Sequence, residues 1–499
     1  MTSASKTKKN VKPTRSSRKS STKSQAAKTA GPSGSATAET RPHAGVADGG
    51  ASASVRVYCQ GLGDCILVKV KRKDADDFKL LIDCGVVLGT DKAASTMTRV
   101  VDNIVDDTGK KIDVLAITHE HWDHLSGFNQ AADSFAKLSV GSVWVAWTED
   151  KNDQLANQLR DELGRASAAL AACALASHAA GDATNGQMLA DIALTPLGAA
   201  AADTSTRAAF EKAKGMAGVK TWLPTDDPFE IPGANARVYA LAPPHDPKLI
   251  RKINPSTSNP ETYGLAADGC AVLPLGVVAA LGLLNDEDSC TPFHQRVTVP
   301  LSGPDWPDSL KKLDPTGRIL TFFKGHYYSE SDRWRRIDGD WLGSAAELAL
   351  ALQSYTNNTS LVLALEVGEV GKGDVLLFAG DAQVGNWESW QAWQWPKDKP
   401  RVTGPDLLKR TIFYKVGHHG SHNATLKEHG LEQMTALKAA IIPVDEKEAL
   451  KKRWGRMPLP ELIAALEKMV PGMVLRTDQR PTKVANNVVI ADNYFEITL

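Results

Sequence analysis

At 499 residues the chain exceeds one average domain, and its 42% hydrophobic and 23% charged residues are those of an ordinary soluble globular protein. Its 58 Lys+Arg are matched by 58 Asp+Glu, so net charge alone singles out neither a nucleic-acid nor a membrane partner. Six cysteines without a CxxC pair are too few for a disulfide scaffold, give no thiolate zinc ribbon and no redox motif, and suit a reduced, cytosolic protein.

The charge is segregated along the chain: the first 30 residues carry nine Lys or Arg and no Asp or Glu. Residues 1–53 hold almost no large apolar side chain, cannot offset the entropy of ordering, and are expected to form a disordered basic tail. Its lysines read first as a solvated tail, with attraction to nucleic acid as the sharper alternative. No apolar stretch follows this basic start, so no secretory signal is expected. The longest apolar run, residues 271–284, contains Pro274 and falls short of the ~18 residues of a spanning helix. A cytoplasmic protein with no membrane partner is the expectation.

Order begins at Val55. "SVRVYCQGLGDCILVKVKR" reads as two strands around a Gly61–Gly63 turn, and "FKLLIDCG" as a third ending at Asp83 and Gly85. Residues 93–107 read as a helix, and "KIDVLAIT" as a buried strand running into "HEHWDHLSG". An Ala-rich stretch within 130–220 reads as a helical insertion; strands resume at "VKTWL" and "ARVYALAPP". Residues 246–343 form a second, irregular insertion. Then follow a helix "SAAELALALQSY", strands "SLVLALEV" and "DVLLFAG", a Trp-rich segment 387–395, and a strand feeding "GHHGSHNAT". The end alternates strand "AAIIPV", helix "LPELIAALEKM", strand "MVLRTDQ" and strand "NNVVIADNYFEITL". Residues 54–499 thus suit one α/β domain, a two-sheet sandwich with outer helices.

The strongest chemical signal is His119-Glu120-His121-Trp122-Asp123-His124, directly after a hydrophobic strand. In an extended stretch His119, His121 and Asp123 point the same way, and His124 falls where a helix begins. Imidazole nitrogen and carboxylate oxygen are donors that zinc accepts.

This HxHxDH pattern resembles the metallo-β-lactamase superfamily, which implies an αββα sandwich and a metal-dependent hydrolase. The likeness continues in order along most of residues 55–499, the two insertions excepted. Asp83 matches a carboxylate that supports the metal site from behind, and Asp381 in "LLFAGDA" one that bridges two metals. "YKVGHHGSHNAT", "GLGDCILV", "NNTSLVL" and "VLRTDQ" resemble the ComEC-type competence proteins and their soluble relatives. The resemblance implies His119, His121, Asp123, His124, Asp381 and His419 as ligands, with His418 orienting or contacting substrate and His422 at the rim. His245 follows a strand where other members place a ligand, and is a weaker candidate.

Sorted by metal, the resemblance implies His119, His121 and His419 on one ion, Asp123 and His124 on a second, and Asp381 on both. One or two Zn²⁺ ions are expected, with Mn²⁺ or iron as alternatives; they would activate a water that Asp123 orients. ComEC-like members carry a late His where this chain has Met457, and thioether sulfur is a poor zinc ligand, so the resemblance leaves three outcomes for a degraded second site: an ion weakly held, one held with another residue, or none. The branch implies a phosphodiester substrate such as nucleic acid. Trp122 and the run Trp387, Trp390, Trp393, Trp395 could stack on bases, although a spacing of three suits helix packing better. The rivals are hydrolysis of a carboxylic ester, lactone or phosphocholine ester, a di-iron oxidoreductase, and a metal-stabilised binding or scaffold protein. Oligomeric state is not legible.

Overall fold

Strands form where the sequence alternates, and the alternation decides which layer each side chain joins. Along β1 (Ala53–Tyr58), β2 (Cys65–Arg72) and β3 (Ala75–Cys84), the residues Val55, Val57, Ile66, Val68, Leu80 and Ile82 share one apolar cluster; Tyr58, Cys65, Leu67 and Leu81 belong to another. The computed structural model describes residues 53–179, 186, 187, 190, 205–256, 260–263, 314–326, 329, 331, 354–397, 401–452 and 454–499. The basic tail and most of the 246–343 insertion therefore lie outside the described residues.

The first sheet has eight strands. After β1–β3 come β4 (Lys111–Ala116), β5 (Ser139–Ala146), β6 (Val219–Trp222), β16 (Val488–Ile490) and β17 (Tyr494–Thr498), in the order β16-β17-β1-β2-β3-β4-β5-β6. The second sheet has seven: β7 (Phe229–Glu230), β8 (Ala236–Ala242), β9 (Val362–Val367), β10 (Asp374–Phe378), β13 (Thr411–Lys415), β14 (Ala439–Ile442) and β15 (Val474–Arg476). Their order is β15-β14-β13-β10-β9-β8-β7. A small ribbon pairs β11 (Gln394–Trp395) with β12 (Val402–Thr403).

Three apolar layers hold these parts together. The middle layer draws side chains from both sheets, for example Val68 and Ile82 from the first and Leu363, Leu376 and Phe413 from the second. On the far face of the first sheet lie α1 (Ala93–Thr108) and α2 (Trp122–Gln130). Met97, Val100, Val101, Ile104 and Val105 recur on one helical face of α1, which stops at Gly109 in the left-handed region (φ 63°). Helices Val384–Trp390, Gly404–Lys409 and Pro460–Met469 cover the far face of the second sheet. The architecture is an αββα sandwich.

Two elements depart from the reading of the sequence. The stretch 130–220 is not wholly a helical insertion, because "SVGSVWVA" is β5, paired parallel with β4 and β6 inside the first sheet. Helices do fill much of the rest: a short one at Ala132–Phe135, a long one from Gln154 to Ala179, and another at Thr206–Lys214. "NNVVIADNYFEITL" is two strands, β16 and β17, since the chain reverses at Asp492-Asn493, residues with turn chemistry. In the Trp-rich segment only Trp387 and Trp390, buried with rings 4.1 Å apart, pack on the helix Val384–Trp390 as the spacing suggests; Trp395 is buried in the strand Gln394–Trp395.

Candidate metal centre

Parallel pairing brings the chemistry to one end of the sandwich. β3 and β4 run parallel in the first sheet, and β10 and β13 run parallel in the second. Asp83 near the end of β3, His119–His124 after β4, Asp381 after β10 and the His418–His419 turn after β13 therefore all leave strand C-termini. Extended backbone lasts only to His121 (φ −115°, ψ 152°), the residue capping α2. Asp123 and His124 lie in the first turn of α2 rather than continuing the alternation. Asp83 (φ 53°), His418 (φ 43°) and His419 (φ 50°) adopt the left-handed region, strain that recurs at functional sites. The His turn is tied down by its backbone: His418 N–H donates to Gly380 O at 3.1 Å, and Ser421 N–H to His418 O at 2.9 Å.

The donor atoms converge. His119, His121, Asp123, His124, Asp381 and His419 are all buried. Asp381 Oδ2 lies 3.3 Å from His124 Nε2, 3.7 Å from His419 Nε2 and 3.9 Å from His119 Nε2. His419 Nε2 is 3.0 Å from Asp123 Oδ2, and His119 Nε2 is 3.0 Å from His121 Nδ1. Two donor groups result, Asp123/His124/Asp381/His419 and His119/His121/Asp381, sharing one carboxylate. This differs from the sorting that the resemblance implied: His419 sits with Asp123 and His124, not with the HxH pair.

The imidazoles are oriented from behind. His124 Nδ1 is 2.8 Å from Asp83 Oδ2, His419 Nδ1 is 2.8 Å from Pro443 O, and His119 Nδ1 faces the hydroxyls of Thr118 (2.9 Å) and Ser360 (3.2 Å). Each ring thus spends Nδ1 on an oxygen and turns Nε2 inward, the habit of metal-binding histidines. Asp83 is itself fixed by Thr118, whose N–H and hydroxyl donate to Oδ1 and Oδ2 at 2.8 and 2.6 Å. Asp83→Asn is therefore expected to weaken cation uptake and any dependent activity by about 10–100-fold, with unfolding little changed. Chelator competition checks this, and wild-type affinity in Asp83→Asn would refute it.

Electrostatics match the geometry. Burial pushes His119 well below the ordinary imidazole value and His121 down to about 4. Burial also opposes the charge on His124 and His419, but surrounding carboxylates, Asp381 foremost, outweigh it and hold both above the ordinary value. Burial likewise works to raise the carboxyls of Asp123 and Asp381; the neighbouring imidazoles, His124 first, outweigh it and hold both low. The buried carboxylates thus favour positive charge at this point of the cluster. A divalent cation supplies such charge. His121 Nε2 and His124 Nε2 are buried without a hydrogen-bond partner, an arrangement costly unless a further group satisfies it. The donor set fits zinc or a similar ion.

Four neighbours of the site carried no role in the reading of the sequence. Asp64, in "GLGDCILV", and Lys415, in "YKVGHH", form a buried ion pair of 2.5 Å. Carboxylates around Lys415, Asp64 first, outweigh its burial and raise its pKa. Ser360 and Asn357, in "NNTS", reach His119 Nδ1 and His418 Nε2, the latter at 3.1 Å. The signal was there, in three motifs quoted for their resemblance alone. Burial lowers His418 to about 4, and its Nδ1 has no partner. His245 stands apart, half exposed and 2.8 Å from Asp153 Oδ2. His422 joins no donor group among the described residues. Met457 lies in the apolar layer over the second sheet, and the group expected to be degraded holds four donors without it.

No helix of the described residues is long and apolar enough to cross a membrane. No curated protein matches the chain. The αββα sandwich with its donors at the strand ends is a metallo-β-lactamase fold, and residues 60–142, which hold Asp64, Asp83 and the whole His119–His124 segment, match the family model of the Metallo-beta-lactamase superfamily, in general hydrolytic metalloenzymes.

Proposed function

We propose that the chain is a hydrolase that uses two divalent cations, most suitably zinc, to cleave phosphodiesters such as nucleic acid. The observation that carries this reading is the position of Asp381 Oδ2, within 3.9 Å of imidazole nitrogens from both donor groups. In this assignment His119 and His121 would hold one cation, Asp123, His124 and His419 would hold the other, and Asp381 would serve both. Bound there, such a pair supplies Lewis acidity and lowers the pKa of water towards neutrality.

The remaining work falls to the chain's own side chains. Asp83, through His124 Nδ1, keeps that ring's Nε2 turned inward. Asp123 presents a carboxylate, held low by its neighbours, that orients the attacking water. His418, neutral and beside the cluster, offers Nδ1 to a substrate oxygen while Asn357 holds its other nitrogen. No serine or cysteine nucleophile is required. The phosphodiester preference is supported by the HHGS, GLGD and NNTS segments, which resemble the ComEC-like branch.

The test is a hydrolysis panel with Zn²⁺ or Mn²⁺ added: single- and double-stranded DNA, RNA, cyclic dinucleotides, bis-p-nitrophenyl phosphate and lactones. Cleavage of the phosphodiesters is expected, abolished by chelator and restored by metal. The His121→Ala variant is expected to stay folded and inactive. Cleavage of lactones with the phosphodiesters intact would overturn the substrate assignment. A folded, metal-loaded protein that cleaves nothing would point to a scaffold.

A further inference from the structure

Lys415 ends β13, between β10 and β14. Two residues earlier on the strand, Phe413 joins the layer between the sheets, while Tyr414 faces the outer helices. Alternation therefore drives Lys415 inward, where an apolar side chain would ordinarily sit, and its side chain is fully buried. Burying an ammonium is costly, and apolar replacement of a buried ion pair is often neutral or stabilising. Stability alone gives little reason for the pair.

The partners of the ammonium give a better one. Nζ lies 2.5 Å from Asp64 Oδ2, donates to Gly380 O at 3.0 Å, and stands 3.8 Å from Asp381 Oδ1. Gly380 is the turn residue (φ 53°) that delivers Asp381, and its carbonyl also accepts from His418 N–H. Asp64 reaches the opposite side of the cluster. Its N–H donates to Asp123 O at 3.1 Å, and its carboxylate lies 3.9 Å from His124 Nδ1 and 3.8 Å from His419 Nδ1. Asp64, Asp83 and His124 also come within ligand reach of one another, yet Lys415 already occupies Asp64 and Thr118 occupies Asp83.

The two oxygens of Asp381 consequently face different charges. Oδ2 looks at three imidazole nitrogens; Oδ1 looks at the ammonium and has no hydrogen-bond partner. We propose that Lys415, held by Asp64, is a positioning residue that keeps Asp381 Oδ1 away from the cations, so that both share the single oxygen Oδ2. Without the ammonium the carboxylate is free to rotate and chelate one cation with both oxygens, at the expense of the other. This rests on the assignment of Asp381 to both cations made above.

The test uses the full chain loaded with Co²⁺, whose visible absorption reports coordination. Lys415→Met alone leaves Asp64 uncompensated, so the informative variants are the charge-balanced pairs Asp64→Asn/Lys415→Met and Asp64→Asn/Lys415→Gln. The second keeps a neutral donor and acceptor in similar volume. Both are expected to melt close to the metal-free wild type, yet to bind the weaker cation about 10–100-fold less tightly with an altered cobalt spectrum. Wild-type affinity and spectrum for both cations in either folded pair would overturn the proposal and leave the ion pair structural. A wild-type chain that takes up no cation, or only one, would instead overturn the two-cation reading beneath it.

Discussion

Asp381→Asn is expected to bring hydrolysis down by at least about 10³-fold and to leave the purified chain with less than one equivalent of tightly bound metal. The substitution keeps the shape of the side chain and removes only its charge. That charge is the element common to both donor groups, so its loss reaches both cations at once, whereas loss of His121 touches one group only. Roughly 4 kcal/mol of transition-state stabilisation corresponds to the thousandfold, since each 1.36 kcal/mol is a factor of ten, and several kcal/mol is what a correctly held metal provides. The fold should survive. Asp381 sits in the turn after β10, and its backbone N–H, untouched by the substitution, still donates to Ser360 Oγ at 3.1 Å. Elemental analysis beside turnover of bis-p-nitrophenyl phosphate reads both effects. Full metal content with near wild-type turnover in Asp381→Asn would remove the shared carboxylate from the mechanism.

The strand ends and the HxHxDH segment were legible because each is written locally, in alternation, a terminal Gly or Asp, and an unusual density of imidazole. What stayed hidden was relational. His119, His121, Asp123 and His124 are nearly contiguous, but the backbone changes from extended to helical at Trp122, so a single alternation could not sort them between two cations. His419 could be allotted only once β13 was seen to end opposite Asp123. Lys415 and Asp64 are 351 positions apart, and nothing local distinguishes a buried lysine at a strand end from one that reaches solvent. β5 was lost for a different reason. Its "SVGSVWVA" pattern borders a long Ala-rich segment whose helical composition dominated the reading, although Val143, Trp144 and Val145 are all buried in the first sheet.

Gly85→Ala is the second change expected to have a large effect, and it links the packing of the sandwich to the cation site. A Cβ at Gly85 would lie 2.5 Å from both the carbonyl carbon and oxygen of Asp123 and 2.6 Å from the carbonyl carbon of His124. All are backbone atoms of the first turn of α2, so no side chain can swing aside. Gly63 is confined in the same way, its added Cβ falling 2.5 Å from Asp123 O. The turn before β2, the end of β3 and the start of α2 therefore meet backbone against backbone, and hydrogen bonds from Gly85 N–H to Asp64 O (2.9 Å) and from Gln60 Nε2 to Gly85 O (2.9 Å) lock them there. Relief requires α2 to move outward, carrying Asp123 and His124 away from Asp381. The expected cost is about 3 kcal/mol in urea unfolding of the metal-free chain, the upper range for overpacking, accompanied by weaker cation binding. Gly218→Ala, where an added Cβ meets nothing within 4 Å, should change neither quantity. If Gly85→Ala unfolds and binds metal like the wild type, the close approach that seats the donor segment against the end of β3 is not what holds it.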